Sequence, residues 1–321
     1  MTTRSERNRK KKKKRSFWHV LRNIILLIIL AVAAYAGYLY YKADHIASKS
    51  FEDYGREKSA LRDEKVKPLK DNVSVLLIGV DESEKRADMG SYRSDTLILA
   101  TINKDDHRIS MLSIPRDSYV YIPERDVRTR INSAYAYGGT KATIDTVENL
   151  LDIPVDYYVK VNFESFIDVV DTLDGITVDV PYEFTEQNSK DKAEAIHLKS
   201  GKQKLNGEEA LALARTRKKD NDIERGKRQQ EIIKAIVQKA VTPGSVLKYD
   251  DLLDVVGNNM KTNISFNEMK SFIAFGLEEK PKFKTLTLEG SDDWSTGAYY
   301  YQLDETSLEN TKSILKSELG L

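Results

Sequence analysis

Charged residues stand where apolar segments of this chain end. Arg116 and Asp117 follow the apolar run 109–114, and Pro115 ends any strand there because it has no N–H to donate. Loops at strand ends often present functional groups on a rigid scaffold. The Arg-Asp pair therefore predicts a catalytic loop. A surface turn with a neutralised ion pair is the alternative interpretation of residues 113–118 taken alone.

Two further aspartates flank apolar runs in the same way. Asp81 follows the run 72–80, and Asp95 precedes the run 96–102. Mg²⁺ is typically held by one or two carboxylates, with water and substrate phosphates completing its shell. We therefore predict that this pair binds Mg²⁺ or Mn²⁺. Loop capping is the alternative for two aspartates considered by themselves.

Six arginines accompany these aspartates. The planar guanidinium bonds two phosphate oxygens at once and stays charged at any relevant pH. Together they are suited to clamp a pyrophosphate and to neutralise charge during phosphoryl transfer. Ordinary surface ion pairs are the alternative for any single one. The set is Arg93, Arg116, Arg215, Arg217, Arg225 and Arg228, and Gln229 is predicted to share a helix face with the last two.

Several other chemistries lack support in the composition. The chain has no cysteine, which excludes disulfides, thiolate metal sites and cysteine nucleophiles. Its four histidines stand in no recognisable Ser/His/Asp or metal-ligand pattern. Neither a P-loop nor a G-x-G-x-x-G sequence is present, so nothing indicates nucleotide binding.

The amino-terminal segment predicts a membrane anchor. Residues 1–15 contain nine Lys/Arg and one Glu, a net charge of +8, and residues 17–41 form a predominantly apolar run with aromatic residues at both ends. About 20 apolar residues cross a bilayer, and preceding positive charges keep the amino terminus in the cytoplasm. We therefore expect a single-pass type II protein of the cell membrane with an extracellular body. A cleaved signal peptide is the alternative, although no A-x-A-like site follows.

The body of the chain has the opposite charge balance. Subtracting the tail's +8 from the overall +1 leaves −7 for the remaining residues. This balance and the missing basic face argue against nucleic acid as a partner.

The order of predicted elements indicates an α/β domain with a mixed sheet. Strands are predicted at 72–80, 96–102, 108–114, 155–163, 176–180 and 284–288, and helices at 140–151, 166–173, 208–214 and 222–240. Residues 82–92 are predicted to form a loop. We divide the chain into a basic tail (1–16), an anchor (17–41), a stalk (42–71), a catalytic core (72–242) and a carboxy-terminal extension (243–321).

Six short motifs follow one another along the chain. They begin with Leu-Ile-Gly-Val-Asp at 77–81, Arg-Ser-Asp-Thr at 93–96 and Ser-Ile-Pro-Arg-Asp at 113–117. They continue with Ile-Asn-Ser-Ala-Tyr at 131–135, Leu-Ala-Arg-Thr-Arg at 213–217 and the block 222–230. In this order the six motifs resemble the LytR–CpsA–Psr family of bacterial cell-wall enzymes. The resemblance implies an α/β/α-type sandwich around a mixed central β-sheet, with an apolar pocket for a prenyl chain.

The resemblance also implies an activity. Such an enzyme transfers an anionic glycopolymer, such as wall teichoic acid, from a polyprenyl-pyrophosphate carrier to peptidoglycan. The product is a phosphodiester to N-acetylmuramic acid. Asp81 and Asp95 match the family's metal ligands; Arg93, Arg116, Arg215, Arg217 and Arg225 match its pyrophosphate-binding arginines; Arg228 and Gln229 match positions in the same pocket. Arg116 is expected to be the most important for catalysis, with Arg93 and Asp117 beside it.

Two other functions remain open from the sequence. The same site would hydrolyse a prenyl pyrophosphate if water replaced the acceptor. A non-enzymatic envelope regulator or wall-binding module is the second alternative, in which the body binds a ligand without transforming it.

Overall fold

A computed structural model describes residues 4–81, 92–246, 248–295 and 297–321. Almost all of the predicted loop at 82–92 therefore lies outside the described residues. The chain divides into two compact units, Met1–His45 and Ile46–Leu321. The division into five segments stays a prediction.

A long helix, α1 (Arg4–Ser50), opens the chain. Its part Leu21–Ser50 has a mean hydropathy of 2.2 in its most apolar stretch, which is not buried against protein. Among the described residues this is the one helix long and apolar enough to cross a membrane. The predicted span 17–41 lies within α1.

A six-stranded mixed sheet forms the centre of the second unit. Its strands are β1 (Val73–Val80), β2 (Ser94–Asn103), β3 (Arg108–Ser113), β6 (Tyr157–Val161), β11 (Met260–Thr262) and β12 (Lys282–Thr287). They lie in the order β11-β6-β1-β2-β3-β12. The pairs β1–β6 and β3–β12 are parallel and the others antiparallel, which confirms the predicted mixed sheet.

Helices and short hairpins surround the sheet. The remaining helices are α2 (Ser133–Leu151), α3 (Phe163–Thr172), α4 (Gly207–Arg215), α5 (Asp222–Ala240), α6 (Pro243–Val246), α7 (Tyr249–Asn259), α8 (Phe266–Glu278) and α9 (Glu305–Leu319). The smaller two-stranded sheets pair β4 (Tyr119–Ile122) with β5 (Val127–Arg130), β7 (Ile176–Val180) with β10 (Gly201–Leu205), β8 (Phe184–Glu186) with β9 (Ile196–Leu198), and β13 (Gly290–Asp293) with β14 (Tyr300–Leu303).

The alternation of side chains along the strands produces the layers. On β2, Leu97 and Leu99 belong to a core that includes residues of α2 and α9. Ile98 faces the other way, into a cluster with Phe275 of α8 and the neighbouring Ile233 of α5. Because both faces are covered, the central strands are apolar almost throughout. The predicted sandwich with helices on both faces of the sheet is confirmed.

The helix boundaries follow local signals. Asn206 caps α4 in a capping box with Glu209, as its position three residues before a glutamate predicts. Gly138 and Gly139 interrupt α2 with non-helical backbone angles, so the predicted helix 140–151 is its regular part. Helix α3 begins at Phe163, three residues before the prediction, because Asn162 provides the cap for Ser165 N.

The carboxy-terminal part of the chain differs from the sequence-based expectation. The described residues of the extension after residue 245 contain four strands rather than the single one predicted, because β11, β13 and β14 are short and lack a regular apolar pattern. Residues 51–71, within the predicted stalk, are bonded to the domain: the Arg62 guanidinium donates to both carboxylate oxygens of Asp156, at 3.0 and 2.8 Å.

Candidate functional site

A cavity of about 480 Å³ lies between one face of the central sheet and the helices α3, α4 and α5 that cover this face. Its wall is mainly apolar and includes Leu77, Val159, Val161, Phe166, Val169, Leu211, Ile232, Ile233, Ile236, Val237 and Met260. Its charged and polar lining residues include Asp95, Arg116, Arg215, Arg217, Arg225 and Gln229. The cavity therefore combines a long apolar wall with a cluster of arginines, which suits a ligand with an apolar chain and an anionic head.

Helix α5 contributes to both parts of this cavity. Arg225, Gln229, Ile232, Ile236 and Val237 all line it. The spacing of three and four residues places them along one face of the helix. The polar members belong to the first two turns and the apolar members to later turns, so the change from charged to apolar follows the helix axis.

Close packing at Gly226 brings the start of α5 to the end of β3. A Cβ atom at Gly226 would lie 2.4 Å from Ser113 Oγ, closer than any side chain tolerates without movement. A glycine at this position thus permits the approach. Arg225 and the turn that carries Arg116 are thereby held next to each other.

Arg116 is bonded to the start of the central strand β2. Its Nη1 donates to Asp95 Oδ1 at 2.6 Å, and its Nε lies 3.5 Å from Asp117 Oδ2. Burial lowers the pKa of Arg116, but the charges of Asp95, Asp117 and Asp222 raise it by more than burial lowers it. The net shift of the pKa is therefore upward. The guanidinium is therefore held as a permanent cation at the cavity.

Arg225 is the most buried of the cavity arginines that form ion pairs, with 8 % of its side chain exposed. Its Nη2 donates to Asp222 Oδ2 at 3.0 Å, and Arg217 Nη1 lies 3.4 Å from the other oxygen of Asp222. Burial lowers the pKa of Arg225, and the positive charges of Arg116 and Arg217 lower it as well. The charge of Asp222 raises this pKa but does not outweigh them, so the net shift is downward. Arg116 and Arg217 are thus both close enough to Arg225 to repel it.

Two buried guanidinium nitrogens donate no hydrogen bond within the described part of the chain, although one of them, Arg116 Nε, lies beside Asp117 Oδ2. The Nε atoms of Arg116 and Arg225 are both buried without a hydrogen bond. A buried donor without an acceptor is costly, particularly on a cation. An anion with several oxygens bound between the two arginines would satisfy these donors and relieve their mutual repulsion.

Arg215 and Gln229 occupy the same rim. The Arg215 guanidinium lies 4.8 Å from the centre of the Phe163 ring, a cation–π geometry, and Gln229 Nε2 donates to Ala214 O at 3.0 Å. Both side chains are thereby oriented at the cavity, and their role in binding stays a prediction.

Arg228 is placed differently from the expectation. It lies outside the lining of this cavity, is buried, and forms an ion pair with Asp220. It also donates to the carbonyl oxygens of Leu213 and Thr216. These bonds join α5 to the end of α4 and to the segment that follows it. The spacing of the arginines along α5 contains no information about Asp220, the partner that holds Arg228 away from the cavity.

The two predicted metal ligands lie at adjacent ends of the central strands β1 and β2. Val80 pairs with Ser94 in the antiparallel β1–β2 ladder, so Asp81, which follows β1, and Asp95, the second residue of β2, lie at neighbouring strand ends. Asp81 is 6 % exposed and Asp95 lines the cavity. Among the described residues no group of three or more metal-ligating side chains occurs. Two carboxylates suit Mg²⁺, which retains water and phosphate oxygens, better than a cation that requires a full protein shell.

Arg93 and Asp117 complete the predicted set. Arg93 is exposed and directly precedes β2, and it lies outside the cavity lining. Asp117 is buried between Arg116 and Arg130, whose Nε lies 3.7 Å from Asp117 Oδ1. Asp117 therefore contacts the site through Arg116.

Sequence reasoning missed Asp222 and Arg130 as parts of this region. Asp222 pairs with Arg217 and Arg225, and Arg130 contacts Asp117. Asp222 stood in a motif already singled out, so its charge beside Arg225 was an available signal. Arg130 precedes a second motif, but its spacing from Asp117 carried no information.

Comparison with known proteins places the chain in a family. The LytR_cpsA_psr family model matches residues 37–317. The Bacillus subtilis polyisoprenyl-teichoic acid–peptidoglycan teichoic acid transferase TagU is 41 % identical over 98 % of this chain and 99 % of its own length.

Two solved structures are similar as well. TagT bound to LIIa-WTA has a TM-score of 0.72 at 38 % identity and covers 84 % of this chain and 98 % of its own. TagT with bound octaprenyl pyrophosphate lipid has a TM-score of 0.67 at 36 % identity, covering 83 % and 98 %. The match of the family model to most of the chain, together with these similarities, shows that this protein belongs to the LytR–CpsA–Psr family.

Proposed function

We propose that this protein transfers an anionic glycopolymer, of the wall teichoic acid class, from a polyprenyl-pyrophosphate carrier to peptidoglycan. The observation that carries the proposal is the cavity, in which a cluster of arginines adjoins an apolar wall, and two of the buried guanidinium nitrogens donate no hydrogen bond to any described residue. A prenyl pyrophosphate has this division into charged head and apolar chain. The names of the similar transferases and of the lipid-bound TagT structure agree with it.

The binding role of each cavity residue follows from its chemistry. Arg116 and Arg225 contact the pyrophosphate through Nε donors that make no hydrogen bond within the described residues, and Arg215, Arg217 and Gln229 complete the polar rim. Burial of the prenyl chain against the apolar wall contributes about 25 cal/mol for each Å² removed from water. This contribution anchors the carrier, while the arginines fix its head.

The bond changes are those of a phosphoryl transfer. An acceptor hydroxyl of N-acetylmuramic acid attacks the phosphorus that carries the glycopolymer, a new P–O bond forms, and the P–O bond to the bridging oxygen breaks. Polyprenyl phosphate leaves with the bridging oxygen, and the hydroxyl proton passes to a base in solution or in the site. Such a reaction needs alignment and charge neutralisation rather than covalent help from the protein. Arg116 neutralises the developing charge, and Asp117 orients Arg116.

Asp81 and Asp95 are the residues that would hold Mg²⁺ or Mn²⁺ in this proposal. The cation would supply positive charge next to the phosphate oxygens. The hydrogen bond from Arg116 to Asp95 keeps that carboxylate at the cavity.

The proposed topology is that of a single-pass type II membrane protein with an extracellular domain. The support is the basic amino-terminal segment before the apolar helix. An anchored enzyme and a lipid-linked donor are confined to the same surface, which raises their effective concentration.

A reconstitution experiment tests the function. The full chain in lipid vesicles is incubated with a lipid-pyrophosphate-linked glycan and peptidoglycan, and the insoluble wall fraction is analysed for glycan by mass spectrometry. Transfer predicts glycan covalently attached to peptidoglycan. Glycan released to solution without attachment would indicate the hydrolase instead, and an intact donor would indicate a binding module.

A further inference from the structure

A hairpin of the carboxy-terminal extension presents two aromatic rings. Trp294 and Tyr299 belong to the segment between β13 and β14, and their ring centres lie 5.0 Å apart with planes tilted by 47°. Trp294 is 66 % exposed. A large aromatic side chain left in water without a packing requirement is often part of a binding surface.

This hairpin is bonded to the turn that carries the catalytic arginine. Tyr301 N donates to Asp117 O at 2.9 Å, and Ser118 forms a β-bridge with Tyr301. Arg130 Nε donates to Tyr299 O at 2.9 Å while lying 3.7 Å from Asp117 Oδ1. The aromatic pair is therefore held at the Arg116–Asp117 turn by backbone and side-chain contacts.

Tyr299 interacts electrostatically with Asp117 and with Asp222. Burial raises the pKa of Tyr299, together with the hydrogen bond from its hydroxyl to Asp292 and the charges of Asp117 and Asp222. The hydroxyl donates to Asp292 Oδ1 at 2.9 Å. Because Asp222 also pairs with Arg225, the ring of Tyr299 lies within electrostatic reach of the proposed pyrophosphate site.

The direction of attack identifies which substrate approaches from this side. In phosphoryl transfer the attacking and leaving oxygens are roughly in line. If the prenyl chain occupies the apolar cavity, the leaving phosphate lies toward that cavity and the acceptor approaches from the opposite side of the phosphorus. Asp117 adjoins Arg116, Arg130 contacts both Asp117 and Tyr299, and the Trp294 ring lies beside that of Tyr299. All four residues lie outside the cavity lining. This step rests on the proposed function.

We propose that Trp294 and Tyr299 form a stacking platform for a pyranose ring of the peptidoglycan acceptor. The C–H face of a pyranose is apolar and packs on an aromatic ring, while its hydroxyl groups stay in water. The hairpin and its bonds to the Arg116–Asp117 turn order both rings before the sugar arrives, which reduces the entropic cost of binding. The platform recognises the acceptor and leaves the lipid-linked donor to the cavity.

Calorimetry on the full chain in detergent tests the platform, with a tetrasaccharide of alternating N-acetylglucosamine and N-acetylmuramic acid as the probe. Trp294→Ala is expected to weaken binding roughly 2- to 12-fold, the range for one aromatic contact. Trp294→Phe, which keeps a ring, is expected to retain most of the affinity. Tyr137→Ala, which removes an exposed tyrosine on α2, is the matched control and should bind as the unmodified chain does.

A second readout locates the bound sugar. The chain contains two tryptophans, so in a Trp18→Phe variant all tryptophan emission comes from Trp294. The tetrasaccharide is expected to shift this emission saturably, with the dissociation constant that calorimetry measures, and maltotetraose is expected not to.

Three results would overturn the platform. The first is equal tetrasaccharide affinity for Trp294→Ala and the unmodified chain, and the second is equal binding of maltotetraose. The third is a Trp294→Ala variant that loses affinity for octaprenyl pyrophosphate instead, which would assign the rings to the donor. Binding of the sugar is measured without turnover. A chain that binds the tetrasaccharide through Trp294 but transfers nothing would therefore support the platform and contradict the proposed function.

Discussion

Arg116 Nη1 donates to Asp95 Oδ1 at 2.6 Å, although the two residues are 21 positions apart in the chain. This bond joins the turn after β3 to the start of β2, next to the strand end that carries Asp81. The hydrogen bond thereby joins a proposed phosphate-binding arginine to a proposed metal-binding aspartate at one end of the central strands.

Substitution of Arg116 is expected to abolish most of the transfer. Arg116→Ala should lower the rate by about 10²- to 10³-fold, the usual cost of removing one donor that stabilises developing charge. Arg116→Lys should recover little of the rate because an ammonium lacks the bidentate fork. Transfer is measured as glycan attached to peptidoglycan per unit time.

Arg128→Ala is the matched control for this test. Arg128 is an exposed arginine of β5, outside the cavity lining, and its removal should leave the rate unchanged. A comparable loss in both variants would show that a general loss of positive charge, rather than the position of Arg116, lowers the rate.

Filling the apolar wall should weaken binding of the carrier. Val237→Trp introduces a large side chain into the cavity, and the displacement of about two CH₂ groups of the prenyl chain, at ~0.8 kcal/mol each, predicts about tenfold lower affinity. Affinity is measured with octaprenyl pyrophosphate by calorimetry. Gln238→Trp places the same side chain at the next, exposed position and should bind normally. Unaltered binding by Val237→Trp would argue that the chain lies elsewhere.

Removal of Arg228 is expected to affect stability. The side chain is 8 % exposed and its loss leaves Asp220, which is 16 % exposed, without its ionic partner. Breaking such a buried pair costs about 3–5 kcal/mol, and partial solvation of Asp220 favours the lower value. The free energy of unfolding of Arg228→Ala should fall by about 3 kcal/mol in urea titrations.

The neighbouring Lys227 provides the contrast. It forms an exposed ion pair with Glu224, so Lys227→Ala should change the free energy of unfolding by less than about 1 kcal/mol. If Arg228→Ala were fully stable yet bound octaprenyl pyrophosphate poorly, Arg228 would belong to the pocket as the sequence predicted.

Asp81→Asn should weaken metal binding. An amide is a neutral ligand, and replacement of a carboxylate is expected to lower Mn²⁺ affinity by at least about tenfold. Bound Mn²⁺ is counted by electron paramagnetic resonance, which does not depend on turnover. Asp251→Asn changes an exposed aspartate of α7 and should bind Mn²⁺ as the unmodified chain does. Equal affinity in the two variants would remove Asp81 from the proposed metal site.

Much of the fold was predictable because the central strands are buried on both faces. The run Val73–Val80 is apolar apart from Ser74 and lies between the polar Asn72 and the charged Asp81, so its existence and limits are evident. The short strands β13 and β14 carry polar or aromatic residues in no clear alternation. Their pairing depends on contacts with β4 and the Asp117 turn, which a local pattern does not contain.

The arginines show where spacing alone is insufficient. Arg225 and Arg228 differ by three positions, and both spacing and charge type permit a common ligand. Asp220 forms an ion pair with Arg228 outside the cavity, whereas Gly226 allows the start of α5 to approach Ser113 at the end of β3. Arg225 therefore lines the cavity and Arg228 does not because of Gly226 and Asp220, which a pattern of arginine spacing does not include.

Reaction in ¹⁸O-labelled water tests the central claim most directly, because it follows the oxygen that attacks phosphorus. The full chain, the lipid-linked donor and peptidoglycan are combined in labelled water, and the glycan phosphate is analysed by mass spectrometry. The proposed transferase predicts glycan phosphate attached to peptidoglycan without ¹⁸O, together with an equal amount of polyprenyl phosphate. Soluble glycan phosphate that carries one ¹⁸O would contradict it, since water would then be the acceptor.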